Sequence, residues 1–216
     1  MSVLTLKQIT ERLKTGEIAF SPSLDTFQVH AHSIDLRLGH TFLVPKMWHM
    51  TNKGREALVV DHFSEEKARF FDVIELEEGQ YFELLPGEYV SVSTFESVKI
   101  PNDIMAVLYP RSSTNRRGLS VDLTGIVDAG YEGQLIIPMR NNTSTQTIRI
   151  YPGDRFCQIV FEELNNIVEP RKSRYHNRDI IEGYITEKQL TNKTTETDLL
   201  LAGKIGDLKK EHPFVI

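Results

Sequence analysis

The segment YPRSSTNRRGLS, Tyr109 to Ser120, sets Arg111, Arg116 and Arg117 within seven residues, with the hydroxyls of Ser112, Ser113 and Thr114 between them. No acidic residue follows until Asp122. Planar guanidinium groups and small hydroxyl donors are what phosphate oxygens need. A solvated loop whose arginines pair with distant acids satisfies the same composition, so both readings stand at this point. A second candidate lies in TGIVDAGYEGQLIIPMRN, Thr124 to Asn141, where Asp128 and Tyr131 stand three residues apart in a turn. Turn aspartates commonly close Asx-turns. A carboxylate beside arginine-bound phosphates can instead deprotonate a water for attack on phosphorus. Because residues 121–131 join two apolar runs, Asp128 is expected near the loop that begins at Arg111. Tyr131 is either a core ring or a flat wall beneath a sugar or base, and Glu132 reads as a solvated turn charge.

Other chemistry-bearing types are weaker. His30 and His32, in VHAHS, would share one face of a strand, but no third ligand lies nearby in sequence, and a metal pair is not expected. The single cysteine, Cys157, sits in the apolar run FCQIVF and reads as a buried structural thiol. One cysteine excludes both a disulfide framework and the zinc chemistry of nucleotide deaminases, which needs paired cysteines.

The elements that must position these residues are mostly strands. Leu4, Ile9 and Leu13 share a helical face, with Gly16 as a stop, so a helix is expected over about 4–14. From Ser33 onward, SIDLRLG, TFLVP, ALVVD, YVSVSTF, IMAVLY, LSVDL, QLIIPM, TIRIY and FCQIVF alternate with Gly, Pro and Asn-Asp turns. Short runs with close-set turns predict a mainly β fold, an antiparallel jelly roll or barrel-like sandwich. Residues 48–71 read as an insertion over the sheet rim. After Phe161 the texture turns polar, so residues 1–164 form the domain and 165–216 a partly helical or flexible tail, with a short helix expected at Glu187 to Glu196. The formal net charge of −5 argues against a nucleic-acid partner. No apolar stretch approaches the ~18 residues that span a bilayer, and the N-terminus lacks a signal peptide's order. A soluble cytoplasmic protein is expected.

Four motifs, SIDLRLG, PRSSTNRRGL, GIVDAGYEGQL and PGDRFCQIVF, in that order and spacing, resemble those of the dUTPase and dCTP deaminase superfamily. The resemblance implies a distorted β jelly roll that assembles as a homotrimer, with active sites shared between subunits. It also implies a deoxynucleoside triphosphate substrate with Mg²⁺ across its phosphates. Arg111, Ser112 and Ser113 match the phosphate loop, Arg116 the arginine that follows it, and Gln158 the phosphate-side glutamine of the fourth motif. Asp35 matches the first-motif aspartate, which supports the metal's water shell or the interface. Asp154 and Arg155 match positions read as structural partners rather than direct contacts.

The superfamily contains two chemistries. Its deaminases carry a proton-shuttling glutamate on the strand after the hairpin; counted from Gly133, that position here is Pro138. The dUTPase pattern matches Gly125, Ile126, Val127, Asp128, Tyr131, Gly133 and Asn141. On that likeness Asp128 activates water toward the α-phosphorus and Tyr131 packs against the deoxyribose. The C-terminal segment RKSRYHNRD instead resembles the deaminase tail, with Arg174 and Tyr175 covering the nucleotide. The expectation is a dUTP diphosphatase, producing dUMP and pyrophosphate. The alternatives are a dCTP deaminase, mono- or bifunctional, which would need a substitute carboxylate such as Glu132, and a nucleotide-binding regulator without catalysis.

Overall fold

The computed structural model describes residues 2–59, 71–122, 125–169 and 195–213. It separates into two compact units, one of Met1–Pro45 with Phe71–Ile180 and one of Lys46–Phe70 with Ile181–Ile216.

The first unit opens with helix α1, Leu6–Thr15. The helix starts later than its apolar spacing suggests because Thr5 caps it: the Gln8 side chain accepts the Thr5 backbone N–H at 2.9 Å. Leu4 is therefore extended, and its N–H donates to the Phe161 carbonyl at 2.9 Å. Gly16 ends the helix at φ 75°, a conformation that glycine adopts at little cost. Leu4 and Ile9 are fully buried.

The strands of this unit are β1 (Ala19–Ser21), β2 (Ile34–Pro45), β5 (Phe71–Glu75), β6 (Phe82–Leu84), β7 (Tyr89–Lys99), β8 (Ile104–Pro110), β9 (Leu119–Val121), β10 (Ile126–Val127), β11 (Glu132–Asn141), β12 (Ile148–Ile150) and β13 (Arg155–Glu163). Between β2 and β5 in sequence lie β3 (Trp48–Thr51) and β4 (Gly54–Ala57), which belong to the second unit. The main sheet runs β10-β8-β13-β2-β7-β11-β9, with β1 added on β7 and β5 on β2; β12 and β6 pair separately. Every recorded pairing is antiparallel, and the mainly β jelly-roll expectation holds. Phe42, Phe156 and Phe161 are the largest buried rings; each contributes about 1.5–3 kcal/mol by leaving water.

One expectation differs. SIDLRLG and TFLVP are a single strand, β2. Its first part pairs with β13 and its second with β5. Gly39 sits between them, where a Cβ would lie 2.2 Å from Ser93 Oγ and 2.9 Å from the Ser93 and Thr94 carbonyl oxygens. The glycine reads as a turn in sequence, but in the fold it lets β2 press against β7.

In the second unit, β3 and β4 form a hairpin in which the Arg55 guanidinium lies 4.2 Å from the centre of the Trp48 ring. The insertion expected over 48–71 thus contains a hairpin. Helices α3 (Thr195–Leu201) and α4 (Ile205–Glu211) complete the described part of this unit. Most of the helix expected at Glu187 to Glu196 lies outside the described residues; the described helix begins at Thr195. Among the described residues, no helix is long and apolar enough to cross a membrane.

Candidate active site

The sheet brings one carboxylate and two arginines together at the C-terminal end of β8. Arg111 leaves the strand after Pro110 and precedes the short helix α2, Ser112–Asn115. Its Nε donates to Asp35 Oδ2 at 3.0 Å, and its Nη1 donates to the Arg155 carbonyl at 2.8 Å. Among the described residues no partner is recorded for Arg111 Nη2, which leaves it available to a ligand. Arg155 Nη1 approaches the same Asp35 oxygen at 3.3 Å and also donates to the Phe27 carbonyl. His30 Nε2 completes the group, 3.0 Å from Asp35 Oδ2. The Asp35 side chain is only 2% exposed, against 23% for Arg111 and 27% for Arg155. A buried anion thus holds two part-exposed guanidinium groups in place.

Gln158 lies beside this group, opposite Asp35 on one side and Tyr109 on the other, and its Oε1 accepts the Ser33 hydroxyl at 3.1 Å. Ser112 is exposed and Ser113 half-buried on α2. Arg116 is exposed and reaches Ser112 Oγ at 3.4 Å. A single chain therefore gathers Arg111, Ser112, Ser113, Arg116 and Gln158 around one region, as the phosphate-loop reading requires.

The resemblance gave Asp35 a part in the metal's water shell or in the interface; within one chain it anchors arginines. Its Oδ2 faces Arg111, Arg155 and His30, so that oxygen is committed to those side chains rather than to a metal's water. Among the described residues no group of three His, Cys, Asp or Glu side chains is placed to hold a metal. His30 is engaged with Asp35, and His32 is exposed.

A second layer supports the first. Gln28 Nε2 donates to the Asp35 carbonyl at 2.9 Å and to Glu96 Oε1 at 2.7 Å. Glu96 Oε2 accepts the Arg37 backbone N–H at 3.0 Å. Gln28 and Glu96 are each 2% exposed. Burial raises the Glu96 carboxyl above the ordinary value, against the opposing pull of those hydrogen bonds. Burial also pushes the Cys157 thiol far up, with Glu96 and Asp35 adding to the effect, so the thiol is an inert core group.

Asp128 is not part of this gathering. β10 runs antiparallel to β8 and pairs Val127 with Ala106. The chain therefore leaves β10 at the N-terminal end of β8, whereas Arg111 follows its C-terminal end. Those ends are about 20 Å apart at the rise of a strand. The expectation that connectivity places Asp128 near Arg111 fails within one chain. Asp128 is exposed, and its carbonyl accepts the Tyr131 N–H at 3.2 Å. Tyr131 is 8% exposed, belongs to the apolar core, and donates its hydroxyl to the Gln134 carbonyl at 2.5 Å. Arg174 and Tyr175 lie outside the described residues.

Pro138 sits inside the sheet, with β7 on one side and the end of β9 on the other. It pairs with Ser91, and its carbonyl accepts the Asp122 N–H at 2.8 Å. In an extended strand, a residue's N–H and C=O point to the same side. The Pro138 nitrogen thus faces the last rung of β9, and its missing N–H takes nothing from the β7 ladder. The proline stands on an interior strand, at the point where the neighbouring strand β9 runs out. A bulge lies earlier in β11, between Gln134 and Ile136, where the Leu135 N–H turns to Thr94 Oγ1 at 3.0 Å.

Arg155, read as a structural partner, shares Asp35 with Arg111; the sequence reading gave no role to Gln28 or Glu96. In STFESVKI, Glu96 stands among Ser93, Thr94, Ser97 and Lys99, so the sequence gave no signal that sets it apart.

The dCTP deaminase-like family model matches residues 3–164. A curated protein of Dictyoglomus thermophilum named "dCTP deaminase, dUMP-forming" is 36% identical over 82% of this chain and 90% of its own length. A protein of the same name from Methanosphaera stadtmanae is 31% identical over 94% of this chain and 100% of its own. Among solved structures, the 2′-deoxycytidine 5′-triphosphate deaminase of Agrobacterium tumefaciens superposes with a TM-score of 0.56 at 26% identity. That match covers 74% of this chain and about half, 48%, of the other. The expectation of a dUTP diphosphatase is overturned by these relatives. It leaned on Gly125 to Asn141 alone, whereas similarity to proteins named as deaminases extends over most of the chain. The chain belongs to the dCTP deaminase-like family.

Proposed function

We propose that this chain deaminates dCTP and carries the product through to dUMP, so that dCTP and two waters give dUMP, ammonia and pyrophosphate. The observation that carries this reading is the 36% and 31% identity to two proteins named as dUMP-forming dCTP deaminases, across 90% and 100% of their lengths. The site geometry supports a triphosphate. Arg111, held by Asp35, acts with Ser112, Ser113, Arg116 and Gln158 on the phosphate oxygens. Mg²⁺, held mainly by the substrate phosphates, would offset their charge. Asp128, exposed at the hairpin, takes the proton of the water that attacks the α-phosphorus. Arg174 and Tyr175 cover the nucleotide.

Because Arg111 and Asp128 lie at opposite ends of β8, a complete site draws on neighbouring copies, and the resemblance gives three of them in closed symmetry. Incubation with dCTP and Mg²⁺ should release ammonia and pyrophosphate in equal amounts, with dUMP as the nucleotide. Accumulation of dUTP would reduce the reading to deamination alone. Release of no ammonia would overturn it.

A further inference from the structure

We propose that Asp122 supplies the carboxylate that moves protons at the cytosine edge, from the strand beside the one where Pro138 stands. The inference rests on the reaction proposed above, since only deamination calls for an acid–base group at the base. Pro138 cannot provide one. The two residues are nonetheless cross-strand neighbours. Val121 pairs with Met139, and on the next rung the Asp122 N–H donates to the Pro138 carbonyl at 2.8 Å. Val121 and Met139 both face the core, at 7% and 0% exposed. Side chains alternate along a strand, so Asp122 and Pro138 share the opposite face. Directly opposed residues in antiparallel strands hold their Cβ atoms about 4.5–5.5 Å apart. A carboxylate on Asp122 therefore occupies nearly the space that a side chain at position 138 would reach.

Other acids are less well placed. Glu132 begins β11, six residues before Pro138 and therefore about 20 Å away along the strand; it cannot substitute at position 138 of the same chain. Glu96 is buried and committed to Gln28 and Arg37. Asp128 precedes the hairpin and lies farther along still. Asp122, by contrast, is exposed, and among the described residues its carboxylate has no recorded hydrogen bond or ion pair. Ser120 and Arg140 form the adjoining same-face rung, which leaves the carboxylate in a polar setting open to a ligand.

The chemistry balances without a further reagent. A water oxygen bonds to C4 of the cytosine while Asp122 accepts a water proton. The protonated carboxyl then delivers that proton to the amino nitrogen, the C4–N4 bond breaks, ammonia leaves, and the proton of the C4 hydroxyl passes to N3. The product is the uracil ring, and the carboxylate is restored.

The test compares the wild type with Asp122→Asn, and with Asp122→Asn combined with Pro138→Glu. It measures ammonia release from dCTP and dCTP affinity by calorimetry. Asp122→Asn should lower ammonia release by about 10²–10⁴, the usual contribution of a general acid–base group, with affinity changed by less than about threefold. Adding Pro138→Glu should recover at least about tenfold of the loss, because a carboxylate returns to the same locus. Undiminished ammonia release in Asp122→Asn would overturn the proposal while leaving the deaminase reading intact. So would a parallel loss of affinity and turnover, which marks a structural residue, or a double variant that binds dCTP and shows no recovery. A wild type that releases no ammonia would remove the reading and this proposal together.

Discussion

Replacing Asp35 with asparagine tests the two-arginine anchor directly. The substitution keeps the volume and one acceptor oxygen but removes the negative charge that Arg111, Arg155 and His30 approach at 3.0, 3.3 and 3.0 Å. A hydrogen bond to an ionised partner contributes about 1.5–3 kcal/mol against 0.5–1.5 for a neutral one. Counting the two arginines and discounting the 45%-exposed histidine, the loss comes to about 2 kcal/mol. It stays below the 3–5 kcal/mol that breaking a fully buried pair costs, because both guanidinium groups keep about a quarter of their surface in water. For a chain of this size, about 2 kcal/mol lowers Tm by roughly 4–8 °C. Thermal unfolding followed by circular dichroism measures it. Asp35 Oδ2 is shielded from solvent, so the loss should persist in about 1 M salt, where exposed pairs are screened. Inorganic tripolyphosphate, titrated by calorimetry, should also bind more weakly once Arg111 is no longer held. A Tm within about 1 °C of wild type, or a loss that vanishes in high salt, would refute the anchor.

Arg116→Ala should weaken triphosphate binding by roughly 1.5–3 kcal/mol, equally for each base, because phosphates carry no base identity; unchanged affinity returns Arg116 to the solvated surface. Mixed assemblies of Asp128→Asn and Arg111→Gln chains should recover activity that neither pure assembly has, since only different copies can complete a site; absence of recovery argues for sites within single chains. Glu96 gives a pH signature whose sign follows from burial. Its folded pKa is raised, so the folded state keeps a proton that the unfolded chain releases. Its contribution is largest below the ordinary glutamate value and declines as pH rises through and above it. Relative to Glu96→Gln, the wild type should therefore gain unfolding free energy as pH falls from about 7 to about 4. A difference independent of pH in denaturant titrations would contradict the assignment.

Much of this was readable in the residues, and the failures have physical causes. α1 and most strands follow from apolar spacing and glycine punctuation, since both report burial along one stretch of chain. The break within β2 was misread because a glycine needed for close approach to Ser93 looks, in sequence, like a glycine needed for a turn. Arg111, Asp35 and Gln158 were found through motifs. The convergence of Arg155 on Asp35 was not, because it depends on the β13–β2 register and on the bulge between Arg155 and Cys157. The distance between Asp128 and Arg111 likewise depends on which end of β8 receives β10. The reaction was misassigned because it was read from Gly125 to Asn141, whereas the similarity to proteins named as deaminases extends over most of the chain.

The dual pairing of β2 also bears on the order in which the molecule matures. Its second part meets β5 within a short span of chain, from Thr41–Pro45 to Phe71–Glu75. Its first part waits for β13, and Asp35 meets Arg155 across a separation of 120 residues. Closing a long loop costs entropy before any contact repays it. During synthesis the β2–β5 corner can form while β13 is still unmade, and Asp35, which His30 and Arg111 can already approach, gains its contact with Arg155 only at the end. The second guanidinium of the Asp35 cluster is thus acquired late, and a nascent chain can have part of its sheet before that cluster is complete.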